Sequence, residues 1–200
     1  MDHRADDKPH AHRITGRRWA GFLAHRWPTA LGVALAALAA YGMDRAAEAV
    51  SLSSLVVLMA LVYVGSAALD RRWFAWVVLL AGVAVLVVSP ASSDVFPSVV
   101  FLLFALAFLV LGVARGLLRR PGGLPLQVAA MLVFGAVMLV AAYVAPVLGA
   151  YLVAVGLIGH GAWDTLHYVR DRVVARSYAE FCAVLDLLVG AAVLVVLFLG

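Results

Sequence analysis

The sequence predicts an all-α polytopic membrane protein of seven transmembrane helices, with the N-terminus cytoplasmic and the C-terminus outside. Composition is the first reason. Hydrophobic residues make up 66% of the chain and charged residues 13%, against about 25% charged in a soluble domain; the mean hydropathy is +1.05. Length is the second reason. At about 20 apolar residues per crossing, 200 residues hold six or seven spans and no extramembrane domain. The third reason is where the cations fall. Fourteen of the fifteen Lys and Arg residues lie on one side of the bilayer when seven spans are drawn, and only Arg45 lies on the other, which is the positive-inside pattern.

Residues 1–18 are polar and rich in Arg and His, with too little apolar surface to offset the entropy of ordering, so they read as a disordered basic tail. His10-x-His12 within it reads as solvated tail rather than a metal site. Arg17-Arg18 ahead of Phe22-Leu23 is loosely like a twin-arginine export signal, but six further apolar segments follow, so the first span reads as uncleaved. Residues 19–200 read as a single transmembrane helical domain. Trp19 to Trp27, with His25 and Arg26, has the aromatic and cationic character of an interface.

The spans follow in order. The first covers about 28–43, with Pro28 in its first turn and Gly32, Ala36 and Ala40 on one face as a close-packing seam. Asp44 to Glu48 reads as a loop. The second covers about 50–69 and is closed by Asp70-Arg71-Arg72; the third covers 73–88. A turn cluster from Ser89 to Asp94 precedes the fourth, about 98–118, which carries Gly112-x-x-x-Gly116. Arg119-Arg120-Pro121-Gly122-Gly123 breaks the chain again. The 45 residues from Leu124 to Tyr168 are two crossings, 124–144 and 147–168, separated at Ala145-Pro146, because proline disfavours helix in the residue before it. A charged loop leads to the seventh span, 178–199. The single cysteine, Cys182, excludes an intramolecular disulfide and reads as a small buried hydrophobe.

One stretch departs from the Ala/Val/Leu/Gly background: His160-Gly161-Ala162-Trp163-Asp164-Thr165-Leu166-His167-Tyr168-Val169-Arg170-Asp171. At about 100° per residue, His160, Asp164, His167 and Asp171 share a sector about 60° wide on one helical face. With the sixth span meeting cytosol near Tyr168, His160 lies about 12 Å and Asp164 about 6 Å inside, at 1.5 Å per residue. His167 falls at the boundary and Asp171 in the loop. The seventh span returns antiparallel, which sets Asp186 at the depth of His160. A carboxylate in an apolar helix costs about 2.5 to 3.5 kcal/mol and faces the bundle interior or a wet cavity; His160 is its natural partner.

Three functions fit the cluster His160, Asp164, His167 and Asp186 on the cytoplasmic side. It handles protons, ions or a small solute, since His titrates near neutral pH beside acids. Alternatively the four residues bind a divalent metal, most naturally zinc, that activates water toward a lipid-like substrate. Or the stripe is interhelical hydrogen bonding in a structural or interaction protein, worth roughly 0.6 to 2 kcal/mol per bond. No motif demands an enzyme. Ser177-x-x-Glu180 reads as a capping box at the start of the last span. Arg170, Arg172 and Arg176 suit anionic lipid headgroups. The net charge of +4 is accounted for by this placement rather than by nucleic acid, and homo-oligomers are compatible with the pattern.

The segment Gly159-His160-Gly161-Ala162-Trp163-Asp164-x-x-His167, followed by Arg176-Ser177-x-Ala179-Glu180-Phe181-Cys182, resembles a group of small actinobacterial membrane proteins. The resemblance covers the last third of the chain and implies a bacterial cytoplasmic membrane but no activity. At the level of architecture alone, seven spans with a His/Asp cluster toward the cytosol are similar to the progestin/adiponectin-receptor and alkaline-ceramidase hydrolases, whose three His hold zinc. Here the second and third spans carry no His and the His pair lies in the sixth span, so no residue of that family carries over.

Overall fold

The computed structural model describes residues 26–41, 43, 46–89, 95–120 and 122–199. The expected tail 1–18, Trp19, His25, Asp44, Arg45 and the turn residues 90–94 lie outside the described residues. Among those described there is no strand. The helices are α1 (Trp27–Tyr41), α2 (Ala46–Ser51), α3 (Ser53–Leu69), α4 (Phe74–Val88), α5 (Val95–Ala114), α6 (Leu124–Tyr143), α7 (Pro146–Arg170) and α8 (Arg176–Leu199), with a 3-10 turn at Leu117–Arg119. Four segments are long and apolar enough to cross a membrane: Glu48–Leu69, Leu124–Tyr143, Pro146–Arg170 and Arg176–Leu199. Trp27–Tyr41, Phe74–Val88 and Val99–Ala114 are shorter apolar helices. The outward side chains match this reading, with Leu80, Val87, Leu102, Leu132 and Leu139 more than 60% exposed. Such a surface is tolerable against lipid and a liability in water.

Several element boundaries differ from the sequence reading, most of all at Glu48 and around the fourth span. Glu48 belongs to a helix, α2, and not to a loop, because Ala46-Ala47-Glu48-Ala49 is a run of strong helix formers. The chain then breaks at Leu52, where the Ser51 and Ser53 hydroxyls donate back to the Glu48 and Val50 carbonyls. The helix expected over 98–118 instead spans Val95–Ala114. Pro97 sits in its first turn, where a missing N–H costs nothing. Gly116, at φ +70°, ends it in a left-handed conformation that suits glycine, so Gly112-x-x-x-Gly116 is half packing site and half terminator. Gly112 is the packing half, lying under Leu124.

The bundle is built around α3. Every residue from Leu58 to Ser66 is buried, which fits a helix apolar on all sides. Helices α4, α5 and α6 pack against it. The most extensive interface is between α7 and α8, with α1 seated against α8 and α2 against α7. Gly161 allows the α7–α8 approach: a Cβ there would lie 2.8 Å from Leu187 Cγ. On α1, the expected small-residue seam faces α8, with Gly32 and Ala36 buried and Gly32 against the Phe181 carbonyl.

Helices α4, α6 and α8 begin, and α3, α5 and α7 finish, at one end of the bundle, and every arginine among the described residues gathers there. Arg72 pairs with Asp171 at 2.8 Å and Arg120 with Asp70 at 2.7 Å. Arg115 donates to the Ala68 carbonyl at 2.9 Å, satisfying an otherwise free helix C-terminus. Arg26 and Thr29 donate to Glu180 at 3.1 and 2.5 Å. Glu180 thus clamps α1 to α8 rather than closing a capping box. Ser177 is the second residue of α8, and its hydroxyl accepts from Trp76 Nε1 at 3.1 Å.

Candidate functional site

Helix α7 carries the polar stripe on the same buried face as its small and apolar residues. Ala150, Val153, Ala154 and Leu157 make that face apolar over its first half, and His160, Asp164 and His167 continue it. All three are buried, as is Asp186 on α8. Close α7–α8 contact then brings His160 and Asp186 together. His160 Nδ1 lies 2.9 Å from Asp186 Oδ2 and 3.1 Å from Asp164 Oδ2. Both neighbours are carboxylates, so Nδ1 carries a hydrogen and donates. One imidazole N–H is shared between two acids, each 0% exposed.

Two residues not anticipated from the sequence complete the environment. Tyr63, in the middle of α3, donates its hydroxyl to Asp164 Oδ1 at 2.5 Å. Its ring lies edge-on to both histidines, with centroids 5.8 Å from His160 and 4.8 Å from His167. Gln127, one turn into α6, places Nε2 3.2 Å from His167 Nε2. Gln127 is the sole glutamine of the chain and lies in an apolar helix, which is the signal that could have flagged it. Tyr63 carried none, since tyrosine is ordinary in such helices.

His167 is buried in the last turn of α7, which continues to Arg170. Its Nδ1 lies 2.9 Å from the Trp163 carbonyl and therefore donates, leaving Nε2 to accept from Gln127. Both ring nitrogens are thus engaged away from the two aspartates. The four sequence candidates divide accordingly: the His160, Asp164 and Asp186 donor atoms all lie within 4.8 Å of one another, while His167 forms a separate pair. Asp171, the fourth member of the stripe, ends α7 at φ +48° and reaches Arg72. Of the three loop arginines, Arg176 donates to the Tyr168 carbonyl and lies over its ring, 5.0 Å from the centroid.

The cluster is incompletely satisfied. His160 Nε2, Asp186 Oδ1, Gln127 Oε1 and Ser66 Oγ are buried without a hydrogen-bond partner, and each such group costs roughly 1–3 kcal/mol. The charges press harder. Two carboxylates in a dry interior are tolerated only if compensated. One imidazolium neutralises one of them; the other needs a proton or a second cation. No family model matches the chain, and no curated protein or solved structure shows significant similarity to it.

Proposed function

We propose that the chain is a seven-span protein of a bacterial cytoplasmic membrane, with the N-terminus cytoplasmic and the C-terminus outside, that takes up and releases protons at His160, Asp164 and Asp186, alone or coupled to a small ion or solute. The observation that carries this reading is the single His160 N–H shared between two fully buried carboxylates. Such a trio is a proton trap whose charge balance changes with each proton gained or lost. Support for a route comes from the layering of polar groups. Ser66 and Asp171 lie at the arginine-rich end; one turn inward are Tyr63, Gln127 and His167; one turn further are Asp164, His160 and Asp186. Gathering of the arginines at one end supports the orientation.

The test uses purified protein in proteoliposomes under a valinomycin-imposed potassium diffusion potential, with an enclosed pH dye. The wild type is expected to acidify or alkalinise the lumen faster than empty vesicles, with Asp186→Asn and His160→Ala inactive and Arg176→Gln active. In parallel, infrared titration should show a buried carboxyl band that Asp186→Asn removes. Equal traces for wild type and Asp186→Asn in both measurements would overturn the proposal and favour a structural role.

A second reading rests on the same three donors. One imidazole and two carboxylates within 4.8 Å are a donor set that suits zinc or another divalent ion, and a divalent cation would balance both acids. Bound there, it would supply an activated water for attack on a lipid-like substrate. Stoichiometric metal in the wild type, lost in Asp186→Asn, is its signature; metal-free protein after purification without chelator sinks it.

A further inference from the structure

A cleft lies outside the buried cluster, at the arginine-rich end. Its volume is about 290 Å³, and the loop after α3, the turn before α6 and the loop after α7 form its walls. Arg71, Arg72, Arg120 and Arg172 all line it. Two of them are already neutralised: Arg72 by Asp171 and Arg120 by Asp70. Among the described residues no carboxylate lies within ion-pair distance of Arg71 or Arg172. The cleft therefore keeps two uncompensated guanidinium groups, on loops held in place by the two ion pairs.

Two further features point the same way. Gly123 and Leu124 line the cleft at the N-terminus of α6, where a helix of 20 residues has its positive dipole end; Pro125 brings no N–H there, and the Gly123 and Gln127 amides are already bonded to the Arg120 and Gly123 carbonyls. On the opposite wall is Ser66, 1% exposed, with a hydroxyl that has no hydrogen-bond partner. A buried serine hydroxyl, the positive end of a helix and two forked guanidiniums line one space. Together they are the donor set for a tetrahedral oxyanion.

We propose that this cleft binds a phosphate group, borne either by an anionic phospholipid headgroup or by a soluble phosphate. Arg71, Arg172 and the Ser66 hydroxyl share its non-bridging oxygens as acceptors. The His160, Asp164 and Asp186 trio takes no part in this, and although Ser66 and Asp171 belong both to the cleft and to the outer layer of the proton route, Arg71 and Arg172 belong to the cleft alone, so their substitution tests binding separately from proton exchange.

Thermal unfolding in a neutral detergent provides the test, with short-chain phosphatidylglycerol, short-chain phosphatidylcholine and inorganic phosphate as probes. The expected result is a saturable rise in melting temperature with phosphatidylglycerol and none with phosphatidylcholine. An equal rise with inorganic phosphate assigns the site to a soluble phosphate; no rise with it assigns the site to the lipid. In Arg71→Gln/Arg172→Gln, two exposed positions whose change leaves the core intact, the apparent affinity should fall at least about tenfold, as loss of charged hydrogen bonds predicts. Ser66→Ala should weaken binding without lowering the melting temperature of the unliganded protein, because it deletes a hydroxyl that has no partner. Arg176→Gln, on Tyr168 and outside the cleft, should bind like the wild type. No shift with either phosphate, or shifts that survive the double substitution or fall equally in Arg176→Gln, would overturn the proposal.

Discussion

Tyr63 joins the two halves of the polar interior. Its hydroxyl is held by Asp164, while its ring fills the space between His160 and His167. Tyr63→Phe keeps the ring and removes only the donor, leaving a buried carboxylate oxygen short of a partner. The expected cost is about 0.6–2 kcal/mol, the range for hydrogen bonds inside helical membrane proteins. Measured by reversible unfolding in mixed micelles, that cost should shrink when Asp164→Asn is already present; the same cost in both backgrounds would show that the bond contributes nothing. At this scale, His160 and Asp186 were legible as neighbours because counting residues from two loops fixes depth in antiparallel helices. Tyr63 and Gln127 were not, because one polar tip in an apolar helix reveals neither which way it faces nor what lies opposite. Beside His167 the helix end was drawn two residues early, at Tyr168 where the helix runs on to Arg170.

At the scale of elements, contact between α7 and α8 makes the site. Gly161 follows His160 directly, and a Cβ on it would meet Leu187 Cγ at 2.8 Å and the Leu187 amide nitrogen at 3.3 Å. The backbone contact cannot be relieved by a rotamer change. Gly161→Val should therefore push the helices apart, costing about 1–3 kcal/mol as overpacking does, and should separate His160 from Asp186. Gly135 on α6 is the contrast, with nothing within 4 Å of its would-be Cβ. Gly135→Ala should be neutral or stabilising by up to about 1 kcal/mol through helix propensity. Melting temperatures of the two variants check both signs, and a destabilised Gly135→Ala beside an unperturbed Gly161→Val would refute this packing. Helix ends were readable wherever Asp, Arg or Pro punctuated an apolar run. They were misread at Glu48 and Pro97, where residues typical of loops are compatible with a first turn.

At the scale of the molecule, the sequence and the bundle agree on an asymmetry of charge, and the proposed orientation follows from it. The described arginines meet at the end where α3, α5 and α7 finish, so α8 leads away from that end and its C-terminus lies at the opposite one. A cytoplasmic arginine-rich end then requires an external C-terminus. The chain's one native thiol allows a direct measurement without prior substitution, because Cys182 is 0% exposed and packed in the core around Tyr178 and Phe181. A thiol out of contact with water does not ionise or react, so a membrane-impermeant maleimide should leave the folded wild type unlabelled and modify it only after denaturation. Against that silent background, a cysteine appended after Gly200 should label in intact spheroplasts, whereas Arg119→Cys should label only after the membrane is opened. The reverse pattern would invert the orientation. Labelling of both sites from outside would mean that α6, α7 and α8 do not all cross, because these are the helices between residue 119 and the C-terminus.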